Sequence, residues 1–402
     1  MSGLVYCDKA GRIYYDESRE PLADGGIVRE AHPDELIPAP AGTVPMVLPG
    51  RRPLLTDGVP DRRYALAVML PAGYTRLLLP AYVRGKDAPA LPLFGYTFAC
   101  TIDDELYVAA MRTDESEDWQ PRVFDEGELE AILERRIESD RLNRVLRQVA
   151  LCSREYGCFT AQNVFLERGE AALPVSPKCN ARCVGCISEQ EPDAGLPSPQ
   201  TRISFETSPE ELSRVAMHHL ERVPDGIVSF GQGCEGEPLL RSVAIAKAIE
   251  QIRASCSNGT VNLNTNGSMP SALKRCIDAG LQAVRISLNS FRPQVYAAYY
   301  RPAGYSLDDV FESIRTASQA GLRVSLNLLT HPGVTDDESE LAAMHDLLQG
   351  VRVDMIQTRT LNIDPEWYFE TVGRPIRPAG MRAAIEAIRA NGVRVGNFTH
   401  TH

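Results

Sequence analysis

The segment Pro177-Lys-Cys179-Asn-Ala-Arg-Cys183-Val-Gly-Cys186 places three cysteines at CxxxCxxC spacing. Three thiolates so close together, on a loop leaving a predicted strand, can converge on one metal centre. Iron–sulfur clusters take thiolate ligands, normally four. With three local ligands, one iron stays open to a substrate or cofactor, as in open catalytic metal sites. A closed zinc site needs four ligands. No Cys or His follows the triad closely, so the fourth would have to be Cys152 or Cys158 from upstream. A ferredoxin-like carrier would also want a fourth nearby cysteine. Disulfides are a poor reading of the ten cysteines in a long chain that shows no secretion signal. Cys152 and Cys158, spaced CxxxxxC, read as buried structural thiols.

The elements that must position this loop follow from periodicity. A strand at Leu173–Ser176 leads into it, and strand–helix alternation continues from there. The series runs through a helix at Pro209–Arg222, with Ser208 as N-cap and Glu211 as its capping-box partner. It continues with strand Ile227–Phe230, helix Leu239–Ala254, strand Val261–Thr265 and helix Ser271–Ala279 ahead of Gly280. Strand Val284–Leu288, helix Leu307–Ala320, strand Val324–Leu328, helix Asp337–Leu348 and strand Met355–Thr358 complete it. A last helix, Met381–Ala390, and a short strand, Val393–Val395, end the chain. Strands apolar on both faces fit a buried parallel sheet, which right-handed crossovers wind into a full or partial barrel. In such a barrel the chemistry sits at the C-terminal strand ends.

Other candidate residues fall at those ends. After the second strand comes Gly231-Gln-Gly-Cys-Glu235-Gly236-Glu237-Pro238. Its glycines let main-chain carbonyls approach a ligand, and its carboxylates can balance an ammonium group. Asn264-Thr-Asn266-Gly267 follows the third strand, and the fourth ends in Ser287-Leu-Asn289-Ser290. Ser287 and Asn289 alternate with Leu288 and are expected on one face. Tyr299-Tyr-Arg301-Pro302 follows, and Asn327, at the end of the fifth strand, and Gln357 with Arg359, at the sixth, are further candidates.

Together these motifs resemble the radical S-adenosylmethionine (SAM) superfamily over about residues 170–360. The resemblance implies an α/β fold: a partial (βα)6 TIM-like radical SAM barrel with an N-terminal mostly-β or α+β accessory domain. It implies a [4Fe–4S] cluster on Cys179, Cys183 and Cys186, with SAM chelating the open iron. Electron transfer into the sulfonium then breaks a C–S bond, normally giving methionine and a 5′-deoxyadenosyl radical. Glu235, Gly236 and Glu237 take the place of the family's "GGE" motif, which holds the amino group of SAM, with Glu235 standing where the first glycine is expected. Asn266, Ser287, Asn289 and Asn327 fall where cofactor contacts are expected, and Arg301 resembles the basic residue that pairs with the carboxylate of SAM. A low-potential electron donor of flavodoxin or ferredoxin type is implied, with a substrate that stays unnamed. The rival readings are a non-catalytic iron–sulfur or zinc protein on the same barrel, and a binding module on a decayed one. Intact Cys179, Cys183, Cys186 and Glu237 argue against decay.

The net charge of −11 in 402 residues argues against a phosphate-gripping nucleic-acid protein. No apolar run reaches the length of a membrane helix, and MSGLVYCDKAGR lacks the pattern of a signal peptide, so a cytoplasmic protein is expected. Residues 1–165 read as an accessory domain and 166–402 as the core. The accessory part shows strands such as Gly11–Asp16, Tyr64–Leu70 and Leu106–Met111, then helices at about Glu126–Ile137 and Arg141–Tyr156. A hairpin at Val164–Glu167, turning at Arg168-Gly169, is expected to join the parts without a flexible linker. The first part should then act as a cover for the substrate pocket, helped by the loop Glu191–Pro199.

Overall fold

The computed structural model describes residues 2–60, 63–114, 126–190 and 195–397. Part of the 191–199 loop, read above as a cover, lies outside them.

Seven parallel strands form one sheet in which sequence neighbours are spatial neighbours throughout. They are β1 (Glu170–Leu173), β2 (Ile227–Phe230), β3 (Thr260–Thr265), β4 (Ala283–Leu288), β5 (Arg323–Leu329), β6 (Met355–Arg359) and β7 (Arg394–Gly396). The sheet curls strongly. Arg285 of β4 reaches Glu170 of β1 at 3.3 Å, although β2 and β3 lie between them. This is the open barrel that the strand–helix alternation predicts. It gains a seventh strand, because the short C-terminal segment pairs with β6 from Met355↔Arg394 to Gln357↔Gly396.

Outer helices cover the sheet: α4 (Pro209–Arg222), α5 (Ser242–Ser255), α6 (Pro270–Asp278), α8 (Leu307–Gln319), α9 (Glu338–Gly350) and α11 (Met381–Ala390). Ser208 caps α4 and Glu211 closes the capping box, as the sequence indicates. The helix expected from Leu239 instead begins with a 3-10 turn, Pro238–Arg241, and becomes α-helical only at Ser242. Two short helices escaped the sequence reading: α7 (Pro293–Tyr300) and α10 (Pro365–Val372). Both begin with Pro at N1, a start signal that two-turn helices make easy to overlook.

Helices α1 (Glu126–Ser139), α2 (Arg144–Tyr156) and α3 (Phe159–Leu166) lead into β1. The last of these corrects the expected hairpin at Val164–Glu167. Ala161, Val164 and Phe165 bury one helical face, and the turn that ends it has Glu167 and Gly169 in left-handed backbone. Main-chain and side-chain bonds join α2 to α4: Asn143 donates to the Glu211 carbonyl at 3.0 Å, and Glu211 pairs with Arg144 at 2.7 Å.

The first 112 residues form a different structure, in which short antiparallel strands dominate. The main sheet runs Leu36–Pro38, Glu105–Arg112, Ala99–Ile102, Gly3–Cys7, Tyr64–Met69 and Val44–Val47, with Ile13–Asp16 and Tyr74–Arg76 paired at its sides. This part sits against the C-terminal ends of β5, β6 and β7. Phe94 and Asn362 exchange backbone bonds of 2.9 and 3.0 Å, Arg76 donates to the Thr330 carbonyl at 2.9 Å, and Asn397 donates to the Tyr74 carbonyl at 3.0 Å. A fully buried ion pair, Arg51–Asp364, locks the contact. Among the described residues no helix is long and apolar enough to cross a membrane.

Candidate active site

The cysteine loop leaves the end of β1 and is gripped by main-chain bonds on two sides. On one side Gly236 donates to the Ser176 carbonyl at 2.7 Å and Glu237 to the Lys178 carbonyl at 2.8 Å. The two backbones come so close that a Cβ on Gly236 would lie 2.1 Å from the Lys178 oxygen. Glycine is therefore required there for space rather than for an unusual φ. On the other side Arg182 donates to the Tyr300 carbonyl, Val184 to that of Tyr299, and Ala303 donates to the Asn180 carbonyl, at 2.8–3.0 Å. Arg301, the left-handed C-cap of α7, lies within this docked segment.

Cys179, Cys183 and Cys186 are each partly buried. Burial pushes the Cys179 thiol up to about 11, with Glu237 and Cys186 adding to it, and that of Cys183 well above its ordinary value, with Cys186 and Cys179 adding. Metal binding must then displace protons, as thiolate ligation generally does. Arg202 approaches the Cys186 sulfur at 3.5 Å and donates to Ser188 at 3.1 Å. Arg202 is a residue that sequence reasoning missed, since a loop separates it from the triad and no spacing rule points to it. Among the described residues, no three His, Cys, Asp or Glu side chains converge tightly enough to ligate a single ion.

The two glutamates of the glycine-rich loop differ in what they hold. The Glu235 carboxylate accepts from the backbone N–H groups of Val175, Ser176 and Gln232 at 2.7, 2.7 and 2.8 Å. Burial pushes its pKa up to about 8 against the pull of those amides. It staples the glycine-rich loop to the root of the cysteine loop. Glu237 accepts from the Leu239 N–H, the Thr265 hydroxyl and the Asn266 N–H at 2.9, 2.5 and 2.8 Å. Burial raises it to about 7. No Lys, Arg or His pairs with it among the described residues.

Asn266 connects β3 to the cysteine loop by donating to the Asn180 side chain at 2.9 Å. Ser287, Asn327 and Gln357 are in register on β4, β5 and β6 and share one face. Asn289 is set apart: it is fully buried and donates to Tyr368 at 3.3 Å. The structure thus gathers the triad, Glu235, Gly236, Glu237, Asn266 and the Arg301 segment. It puts Ser287 and Asn327 in a separate row and seals Asn289 under α10. Cys152 and Cys158 share a small cavity with Cys234 directly behind the glycine-rich loop.

A family model for the radical SAM superfamily matches residues 173–345. Residues 173–345 thus carry a radical SAM superfamily domain. Its relatives include the GTP 3',8-cyclases of Heliobacterium modesticaldum, 33% identical over 41% of this chain and 47% of that protein, and of Peptoclostridium acidaminophilum, 34% identical over 42% and 48%. The chain spans about half the length of these curated relatives. Similar solved structures include a radical SAM methyltransferase from Sphaerobacter thermophilus, at 14% identity and TM-score 0.41 over 56% of this chain and 64% of that one. Methylornithine synthase has 14% identity and TM-score 0.37 over 68% and 78%.

The cofactors of the radical SAM superfamily are a [4Fe–4S] cluster and SAM. The residues present fit both: three thiols lie on one loop, and beside it is a buried carboxylate that meets no cation among the described residues. Two cavities end on Arg285. One, of about 460 Å³, lies at the N-terminal strand ends near Thr260, Arg323 and Arg394. The other, of about 420 Å³, opens at the C-terminal ends, where the residues after β6 and β7 meet the N-terminal part. The cysteine loop is at that second end, which is the functional end of such barrels.

Proposed function

We propose that this chain is a radical SAM enzyme in which Cys179, Cys183 and Cys186 hold a [4Fe–4S] cluster and SAM occupies its open iron. The observation that carries the reading is the docking of the three-cysteine loop onto the loop of Glu237, a buried carboxylate without a cation. When bound, the cofactors supply a low-potential electron and a sulfonium bond that it can break.

The chain's own residues bind, orient and exclude water. Glu237 receives the ammonium group of SAM, with the Gly236 backbone beside it. Arg301 takes the carboxylate of SAM. Ser287 and Asn327 line the path to the ribose and adenine, while Glu235, Asn266 and Asn289 hold the surrounding loops in place. Arg202 offsets negative charge at Cys186, the sulfur it approaches at 3.5 Å. Residues 1–165 serve as the accessory cover of a core at 166–402 and keep water from the reaction. Electrons come from a flavodoxin- or ferredoxin-type donor in the cytoplasm.

Anaerobic reconstitution tests this reading. The protein should take up about four iron and four sulfide per chain, bind SAM, and cleave it slowly under dithionite. Failure to cleave SAM with the cluster loaded would sink it.

A further inference from the structure

The cavity at the functional end has two unlike walls. The N-terminal part supplies Leu70, Pro71 and Ala72, joined by Phe159 of α3, and the barrel supplies Arg285, Arg359 and the carboxylate of Glu170. Arg285 is balanced, because it pairs with Glu170 at 3.3 Å. Arg359 is not balanced in this way. Its guanidinium donates to the side-chain oxygens of Asn327 at 2.6 Å and Gln357 at 2.8 Å, and to the Asn397 carbonyl at 2.8 Å. All three acceptors are neutral, and no carboxylate pairs with it among the described residues. Glu170 is taken by Arg285 and Ser229, and the Asp114 carboxylate accepts from the Asn397 backbone N–H.

A guanidinium has five N–H donors, and these bonds use three of them. Arg359 keeps some accessible surface, and it lines the cavity. Burial lowers its pKa to about 10, with Arg285 adding to the effect, so it stays charged at neutral pH. Arg76 is a useful contrast. It too is buried without a carboxylate, but its N–H groups go to the carbonyls of Gly95 and Thr330, and it does not line this cavity. A desolvated cation is costly unless an anion meets it. Beside an open cavity, the missing anion is most simply a ligand.

We propose that this cavity seats the substrate as an organic oxyanion, a carboxylate or a phosphate ester, with Arg359 as its anchor and an apolar remainder against Leu70, Pro71 and Ala72. The inference rests on the radical SAM reading for the purpose of the site. The fork of a guanidinium matches two oxygens of either group. The N-terminal part is then a wall of the substrate site as well as a shield.

The test is calorimetry on the reconstituted, SAM-loaded protein with phenylacetate, phenyl phosphate and the neutral 2-phenylethanol. At least one anion should bind at least about ten times more tightly than the alcohol, and which one does so identifies the oxyanion. Arg359→Gln should weaken that anion by about ten- to a hundred-fold, well beyond any change in SAM affinity passed on through Asn327. Its melting temperature should not fall, since it removes an uncompensated buried charge. Ala72→Trp fills the apolar side without touching Arg359. It should abolish anion binding and spare SAM cleavage, which keeps the proposal testable if the Arg359 variant does not fold. The proposal is overturned if no anion outbinds the alcohol, if either variant binds the anion as the native protein does, or if Arg359→Gln weakens SAM instead. SAM binding and cleavage are read separately, so loss of the radical SAM reading is distinguishable from loss of this one.

Discussion

The barrel and the N-terminal part solve opposite problems. In the barrel, each strand pairs with its sequence neighbour, and loops at one end carry the triad, Glu235, Glu237 and Asn266 within hydrogen-bonding reach of each other's segments. In the N-terminal part, strands far apart in sequence pair antiparallel, and the loops between them press on the barrel's open side. The contact is polar as well as apolar, with Arg51–Asp364, Arg76 on Thr330, and Thr75 on Thr358 at 2.5 Å, all buried. Such contacts demand fixed geometry, because an unpaired buried polar group is costly. The difference teaches that the residues proposed to hold the cofactors sit in the half built from local units. The N-terminal half supplies one wall of the cavity at the same end.

The strongest test of that division is at the triad. Replacing Cys179, Cys183 and Cys186 by Ala should remove essentially all of the roughly four irons, read by iron and sulfide assay and by paramagnetic resonance. A retained cluster would move the metal to Cys152, Cys158 and Cys234 and break the comparison. Next comes the seam. Asp364→Ala leaves the buried Arg51 only the more distant, partly exposed Glu366 at 3.6 Å and should cost about 3 kcal/mol in denaturant unfolding. A double replacement, Arg51→Met with Asp364→Leu, should recover much of this, and if it does not, the pair is needed for more than charge balance.

Within the site, Glu237→Gln should weaken SAM about tenfold, since it removes the negative charge from a hydrogen-bonded pair. The pH dependence follows from its raised pKa. Desolvation holds Glu237 near 7, and an ammonium ligand needs the ionised form. SAM affinity should therefore fall as pH drops below about 7, level off above it, and lose this slope in the Gln variant. A calorimetric pH series checks it; the same slope in both proteins would remove Glu237 from the SAM site. The smallest effect is at the α2–α4 contact. Desolvation would raise Glu211, but its bonds to Arg144 and to the backbone of Ser208 outweigh this and hold it near 2. A depressed carboxylate stabilises the fold above its ordinary pKa and loses that contribution as pH falls toward 2. With Arg144 partly exposed, Glu211→Gln should cost about 1 kcal/mol at neutral pH and less at pH 3.

The amino-acid sequence by itself determined what depends on neighbours along the chain. The three ligand cysteines share one loop, Ser208 and Glu211 cap one helix, and apolar runs alternate with helical periods, so spacing alone reveals them. It also marked Gly236 as a place where main chain can approach a ligand. Only the tertiary structure decided that Gly236 packs against the Lys178 backbone, and that Glu235 staples two loops. Only it showed that Asn289 is sealed away from Ser287, that Cys234 joins Cys152 and Cys158, and that Arg359 lines a cavity with no carboxylate paired to it among the described residues. Each of these contacts joins residues brought together by the curl of the sheet or by the seam between the halves. No local period encodes that closure; it arises when the whole barrel packs.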